Sequence, residues 1–299
     1  MEASLFFEQL LNGVQLGVML FLMAAGLTLI FGIMNFLNLA HGALYMLGAF
    51  FAATALEWTG SFLLAIALGI AASATLGVIL DVVVFRPLYE RSHFDQVLGT
   101  FALILFFNDL VVLLWGPEPH YMAIPDWLSG SVSLSGEVSY PMYRLLIMGA
   151  GLTVAAALYA LITRTRTGML IRAGASNREM LSGLGTNVRG LSMFVFALGS
   201  AMAGFAGMIS GPLIAVQVGM GDVMLIVSFL VIVIGGLGSI AGAFVAAIIV
   251  GIVDTLGRFL LPQWLGYTAG PALASMASYA LMAAVLFVRP QGLLGSRRG

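Results

Sequence analysis

Two asparagines and a histidine fall three residues apart at Asn35, Asn38 and His41, beside Gly42, inside the otherwise apolar stretch NFLNLAHGALYMLG. Amide and imidazole groups in that setting can hydrogen-bond a polar solute or finish a helix end. No second His or Cys stands at metal-ligand spacing, so no metal centre is expected, and no catalytic residue is assigned. An unpaired polar group costs several kcal/mol in lipid, so the stretch must face protein or a water-filled cavity. It also reads as a cytoplasmic turn with Asn38 as the helix N-cap and His41 in the first turn, and such a turn can itself line a cavity. Asn35, Asn38, His41 and Gly42 are therefore the candidate lining of a translocation path.

The elements that must position these residues are membrane helices. Hydrophobic residues make up 61% of the 299 and charged residues 8%, with a mean hydropathy of +1.07, which places the chain outside the soluble globular class. The composition predicts an all-α polytopic membrane protein. There is no Cys, which excludes disulfides and thiolate metal sites. All 12 basic side chains are Arg, and without Lys the chain cannot supply the lysine of a P-loop ATPase. A net charge of −1 carries no information about nucleic acid. The opening MEASLFFEQLL lacks a basic n-region and reads as mature sequence.

Apolar runs predict spans over roughly 9–33, 41–56, 61–85, 96–115, 143–162 and 191–216. A further apolar run after Asp222 breaks at Gly235, Gly236 and Gly238, and a last span covers roughly 272–288. The total is eight or nine. RPLYERS, the stretch from Arg164 to Arg189 and the C-terminal tail together carry ten of the twelve Arg, which predicts that all three lie in the cytoplasm. The acidic, Trp-bearing segment 116–141 belongs outside, and parity then puts the N-terminus outside as well. The run 222–258 is either a full hairpin or a re-entrant pair of half-helices. Along 191–216, Ser200, Ala203, Gly204, Gly207 and Gly211 form a small-residue face suited to close helix approach.

GALYMLGAFFAA at 42–53 and GLGSIAGAFVAA at 236–247 share one frame, each after an interruption in an apolar run. Paired, Gly-interrupted helices in two weakly repeated halves point to a transport path at a repeat interface. A proton-coupled carrier would keep acidic residues deep in its spans, whereas Glu8, Asp81, Asp222 and Asp254 fall near span ends and Asp109 about six residues in. These five read as interface anchors or satisfied helix ends. The mixed-sign, small-residue stretch IRAGASNREMLSGLG reads either as a basic anchor at lipid headgroups or as a surface built to dock on protein.

Four stretches carry a family resemblance: GLTLIFGIMNFLNLAHGALYMLGAF, FRPLYERS with LGTFALILFFNDLV, TGMLIRAGASNREMLSGLGTNV, and GGLGSIAGAFVAAIIVGIVDT. In that order they resemble the LivH-type permeases of bacterial ABC importers for branched-chain amino acids, from about Gly13 to Gly292. The resemblance implies a single permease domain over 1–299 that lies in the bacterial inner membrane with its C-terminus cytoplasmic. It implies pairing with a second, related permease, two ATP-binding cassette subunits and a periplasmic solute-binding protein. ATP and Mg would be bound by those ATPase subunits, with no cofactor held by this chain. Residues 163–190 correspond to the cytoplasmic ATPase-docking loop, with Arg172, Ala173, Glu179 and Gly185 as contacts, and Asn38, His41 and Gly42 to the N-x-x-H-G signature. Ala43, where the family often has a polar or acidic residue, and the Arg-only loops depart from the pattern. That leaves urea, amides and aromatic acids beside leucine, isoleucine and valine as the solute.

Overall fold

The computed structural model describes residues 2–34, 38–89, 91–135 and 138–295. Helices dominate: α1 Glu2–Met34, α2 His41–Thr59, α3 Phe62–Leu80, a π-helical turn Asp81–Phe85 leading into α4 Arg86–Leu88, and α5 His93–Trp115. They continue as α6 Met142–Arg164, α7 Arg166–Ser176, α8 Arg178–Gly183, α9 Val188–Ser210, α10 Met220–Gly235 and α11 Ile240–Val288. Six helical stretches among the described residues are long and apolar enough to cross a membrane: Ser4–Met34, Phe62–Leu88, His93–Trp115, Met142–Arg164, Val188–Ser210 and Ile240–Val288. The expectation of an all-α polytopic membrane protein holds.

The chain divides into two compact units. One comprises Ala25–Ala123 and Ala156–Ile226, the other Met1–Ala24, Ile124–Ala155 and Val227–Gly299.

In the first unit, α9 is the central element. Its small-residue face is buried and meets backbone on three sides. A methyl group on Gly48 of α2 would stand 2.3 Å from Gly204 Cα, one on Gly207 would stand 2.0 Å from the Tyr45 carbonyl oxygen, and one on Gly26 of α1 would stand 2.7 Å from the Gly199 carbonyl oxygen. Gly77 of α3 fits over Ser200, and Gly204 over Ser73, at distances that likewise leave no room for a methyl. Lipid is as apolar as a leucine side chain, so dispersion contact at short range, rather than the hydrophobic effect, must hold such helices together. Tyr45 adds a polar tie by donating to Ser210 Oγ at 2.6 Å, while Ser210 donates to the Gly207 carbonyl at 2.7 Å.

In the second unit, the 49-residue α11 is a hairpin rather than one rod. Gly266, at φ 81°, breaks the helix. A methyl on Gly257 would then stand 3.8 Å from Ala274 Cα, and one on Gly270 would reach 2.4 Å from Pro262 Cα. In a continuous helix, residues 257 and 274 would be about 25 Å apart at 1.5 Å per residue. Helix thus runs on past residue 258 and resumes before 272, because a single left-handed glycine suffices to reverse the chain. At the other end, α10 and α11 meet through Gly235 and Gly242, and the tail returns to the same place as the Leu293 and Leu294 N–H groups donate to the Ile234 and Gly235 carbonyls at 2.8 and 3.1 Å. In the same unit, Gly17 and Gly13 of α1 pack on Ile248 and Ile252, with Phe21 edge-on to Phe244 at 5.1 Å.

Two features were not expected. The segment read as plain loop contains an antiparallel β-hairpin, β1 Ser131–Ser135 with β2 Val138–Pro141, whose alternation of Val, Leu and Tyr with Ser suits a strand. The third predicted span passes through the π-helical turn Asp81–Phe85 before it ends at Leu88.

The glycine contacts make a direct prediction. Gly48→Ala should lower the melting temperature of the detergent-solubilised protein, on the overpacking scale of roughly 1–3 kcal/mol. Gly149→Ala, with nothing within 4 Å, should leave it unchanged or slightly raised. Equal melting temperatures for the two variants would contradict the packing described.

Candidate translocation site

Of the four residues expected to line a path, Asn38, His41 and Gly42 come together and are buried, Asn38 and His41 both at 0% exposure. Asn35 lies outside the described residues. The expectation that Asn38 caps a helix needs correction. Helix α2 starts at His41 with Ala40 in the N-cap position, and no side chain among the described residues caps it. Asn38 uses its backbone instead, accepting the His41 N–H at 3.2 Å, while both polar atoms of its side chain are buried without a hydrogen-bond partner among the described residues. The geometry has a simple cause. Ala40 is already in the helical region at φ −68° and ψ −3° and holds the N-cap position, so Asn38 stands two positions before the cap, too early for its side chain to reach the N–H groups of the first turn.

Around this start the packing is glycine-mediated. A methyl on Gly26 would stand 3.1 Å from His41 Nε2. The first turn of α10 arrives from the other direction, and a methyl on Gly42 would reach 2.6 Å from the Gly221 carbonyl oxygen. The Gly219 N–H points at Met46 Sδ at 3.3 Å. Two helix N-termini thus converge inside the protein, each with the partial positive charge of a helix start. They differ in compensation. Asp222 occupies the first turn of α10, its Oδ2 accepting from Asn108 Nδ2 at 3.3 Å, whereas the first turn of α2 holds no acidic residue. The α2 end therefore remains the more electropositive of the two.

Sequence reading did not find Gly26 or Gly221. Both sit in apolar surroundings, and only the fold reveals which glycines touch. The frame shared by 42–53 and 236–247 has a limited structural counterpart. Its second glycine, Gly48 or Gly242, makes a backbone contact in each copy, with Gly204 and Gly235 respectively, but α2 begins before its first glycine and α11 four residues after.

The chain matches the family model described as branched-chain amino acid transport system / permease component over residues 9–286. It belongs to that permease family. The permease BraD of the high-affinity branched-chain amino acid transport system of Pseudomonas aeruginosa is 30% identical over 305 residues, covering 97% of this chain and 96% of the relative. The corresponding LivH protein of Salmonella typhimurium is 30% identical over 311 residues, with the same coverage. A permease of Methanocaldococcus jannaschii, described as a probable branched-chain amino acid transport protein, is 27% identical over 296 residues, covering 93% of this chain and 89% of its own length. A solved structure described as an inward-facing metal-chelate type ABC transporter shares the fold at a TM-score of 0.51 and 17% identity, over 94% of this chain and 85% of its own. The protein is thus a membrane-embedded permease of the ABC transporter class, and ABC transporter partners are implied with it.

The segment 163–190 forms α7 and α8, two short helices with their starts capped by Thr165 and Asn177, whose side-chain oxygens accept from Gly168 N–H at 3.0 Å and Met180 N–H at 2.8 Å. Arg172, Ala173, Glu179 and Gly185 are all exposed, and Gly185 turns the chain at φ 81°. Around them Met180 and Leu184 are 66% and 76% exposed. Arg178 faces the other way, half-buried, with its guanidinium carbon 4.9 Å from the centroid of the Tyr89 ring. Tyr89 in turn donates its hydroxyl to Asp81, and Arg86 Nε stands 3.4 Å from Asp81 Oδ2, an ion-pair separation without hydrogen-bond alignment. Burial, and then the Asp81 carboxylate, push the Tyr89 phenol far above its ordinary range, so it remains a donor.

A buried amide without a partner among the described residues makes the stability of Asn38 variants informative. Replacing an unpaired polar group by an apolar one of similar volume is close to neutral or stabilising. Asn38→Leu should therefore keep or raise the melting temperature of the purified permease. A fall of several degrees would show that the amide is satisfied in the folded protein.

Proposed function

We propose that this permease is the non-catalytic translocation subunit of an importer that carries branched-chain amino acids into the cytoplasm, with Asn38, His41 and Gly42 on the path. The observation that carries the reading is the buried start of α2, without a capping side chain among the described residues, beside an Asn38 amide without a described partner. In a family of permeases, a polar group kept at such cost inside the membrane is accounted for by a solute that visits it. The positive end of α2 suits a carboxylate, and Leu44 and Met46, both buried close by, suit an aliphatic side chain without selecting one strongly. Selection then rests mainly with a periplasmic solute-binding protein, and relatives named for branched-chain amino acids make leucine, isoleucine and valine the first solutes to test.

In this reading the chain forms a single permease domain in the inner membrane, with its N-terminus outside and its C-terminus in the cytoplasm. A second related permease stands beside it, and two ATP-binding cassette subunits bind and hydrolyse ATP with Mg. The exposed surface of Arg172, Ala173, Glu179 and Gly185, flanked by Met180 and Leu184, is the seat for one of them. The mixed sign of this surface, Glu179 beside the Arg, together with its exposed apolar side chains, favours protein docking over a purely basic lipid-headgroup anchor.

Uptake in proteoliposomes containing the complete importer and its binding protein tests both halves. Leucine uptake should require ATP, and Asn38→Leu should reduce entry of leucine, a neutral amide and urea alike, by whatever factor each is carried in the parent. Loss confined to one solute would move selectivity into the membrane, and solute movement by the permease alone on a pH gradient would make it a secondary carrier. Arg172→Glu should abolish coupled hydrolysis while the permease still inserts; failure to insert would make 163–190 a topology anchor.

A further inference from the structure

Asp81 is a fully buried carboxylate near the end of a membrane span, where an unpaired charge costs several kcal/mol. Its surroundings lead out of the span and toward α8. Arg86 and Tyr89 engage it directly, and Arg178 covers the Tyr89 ring. The π-helical turn makes this reach possible. It widens the backbone between Asp81 and Phe85, and the Tyr89 side chain points back toward the helix start, as helical side chains do. Phe85, inside the same turn, stacks on Phe196 of α9 at 4.6 Å, so the turn is tied to the central helix of its unit.

The same guanidinium has a second neighbour. Arg178 Nη1 lies 4.0 Å from Met34 Sδ, and Met34 is the last residue of α1. The chain then leads, through three residues, to Asn38 and the uncapped start of α2. One side chain of α8 thus touches both the segment that delivers Asn38 and His41 and the phenol anchored on Asp81. The opposite side of α8 presents the exposed Met180. A short, two-faced helix of this kind is built to carry displacement from whatever binds its outer face.

We propose that Arg178 and Tyr89 are positioning residues that transmit movement of the ATPase-facing segment to the end of α1 at Met34, with Asp81 as the fixed anchor. This rests on the reading of 163–190 as a docking surface. Arg is suited to the role because its planar guanidinium can lie on a ring while its edge meets Met34, which an ammonium group cannot do.

The test uses the complete importer in proteoliposomes and compares Tyr89→Leu, Tyr89→Phe, Arg178→Gln and the Tyr89→Leu/Arg178→Gln double variant with the parent. Three quantities are read: ATPase subunit retained on purification, hydrolysis with and without loaded binding protein, and uptake. Tyr89→Leu should retain the ATPase subunit and its unstimulated hydrolysis but lose stimulation and uptake by roughly fivefold or more, the scale of coupling between distinct sites. Tyr89→Phe, which keeps the ring and loses the hydroxyl, should fall between it and the parent. The double variant should be no worse than the more impaired single variant, since both break one link. Unchanged stimulation in Tyr89→Leu, loss of the ATPase subunit from it, or additive effects in the double variant would each overturn the proposal. Should Tyr89→Leu fail to accumulate, Tyr89→Phe decides by the same stimulation ratio. A parent complex without ATP-dependent uptake would defeat the importer reading itself, and that is seen before any variant is compared.

Discussion

Residues 188–210 must hold parts of α1, α2 and α3 at glycine distance, and they must do so among helices that gain nothing from leaving lipid for one another. Contact energy between membrane helices falls off within an ångström of optimal separation, so the only way to accumulate it is to remove side chains from the approach. Gly26, Gly48, Gly77, Gly199, Gly204 and Gly207 do this in one unit, and Gly13, Gly17, Gly242 and Gly251 do it in the other. The arrangement leaves little tolerance. A single methyl at most of these positions would overlap backbone, which cannot rotate away as a side chain can.

That rigidity allows a helix to begin inside the protein. The start of α2 has no capping side chain among the described residues, and the N-terminus of α10 reaches the same region with Asp222 as compensation. Exposed to lipid, either end would carry unsatisfied N–H groups at prohibitive cost. Enclosed by α9 and its neighbours, the ends become a fixed electrostatic feature. The asymmetry between them, one helix start with a carboxylate and one without, gives the interior a direction that the nearly neutral composition does not suggest.

Much of this was legible in the sequence because lipid imposes simple rules. The apolar runs had to be helices, and the polar interruption at Asn38 and His41 had to be enclosed, as both proved to be. The small-residue face at Ser200, Gly204 and Gly207 declared close packing but not its partners, since glycine carries no label for what will approach it. Asn38 was misread as a cap because N-cap preference is a local statistic and Ala40 had already entered the helix. Asp81 and Tyr89 were invisible as a pair. At eight residues they would stand about 12 Å apart along a regular helix, and only the π-helical turn, which no composition signals, changes the register between them. The hairpin in α11 was hidden for the opposite reason: one glycine among 37 makes the reversal.

The tie between Tyr45 and Ser210 spans 165 positions of the chain. At roughly 5–20 residues per second of synthesis, α2 therefore leaves the ribosome on the order of ten seconds before the helix that will enclose it. For that interval its polar first turn has α1 but not α9 or α10 beside it. The segment must wait at the membrane surface, within the insertion machinery or on a provisional neighbour. Assembly of this unit is thus a delayed closure, in which an early segment of the chain takes its final position only after a much later one has arrived.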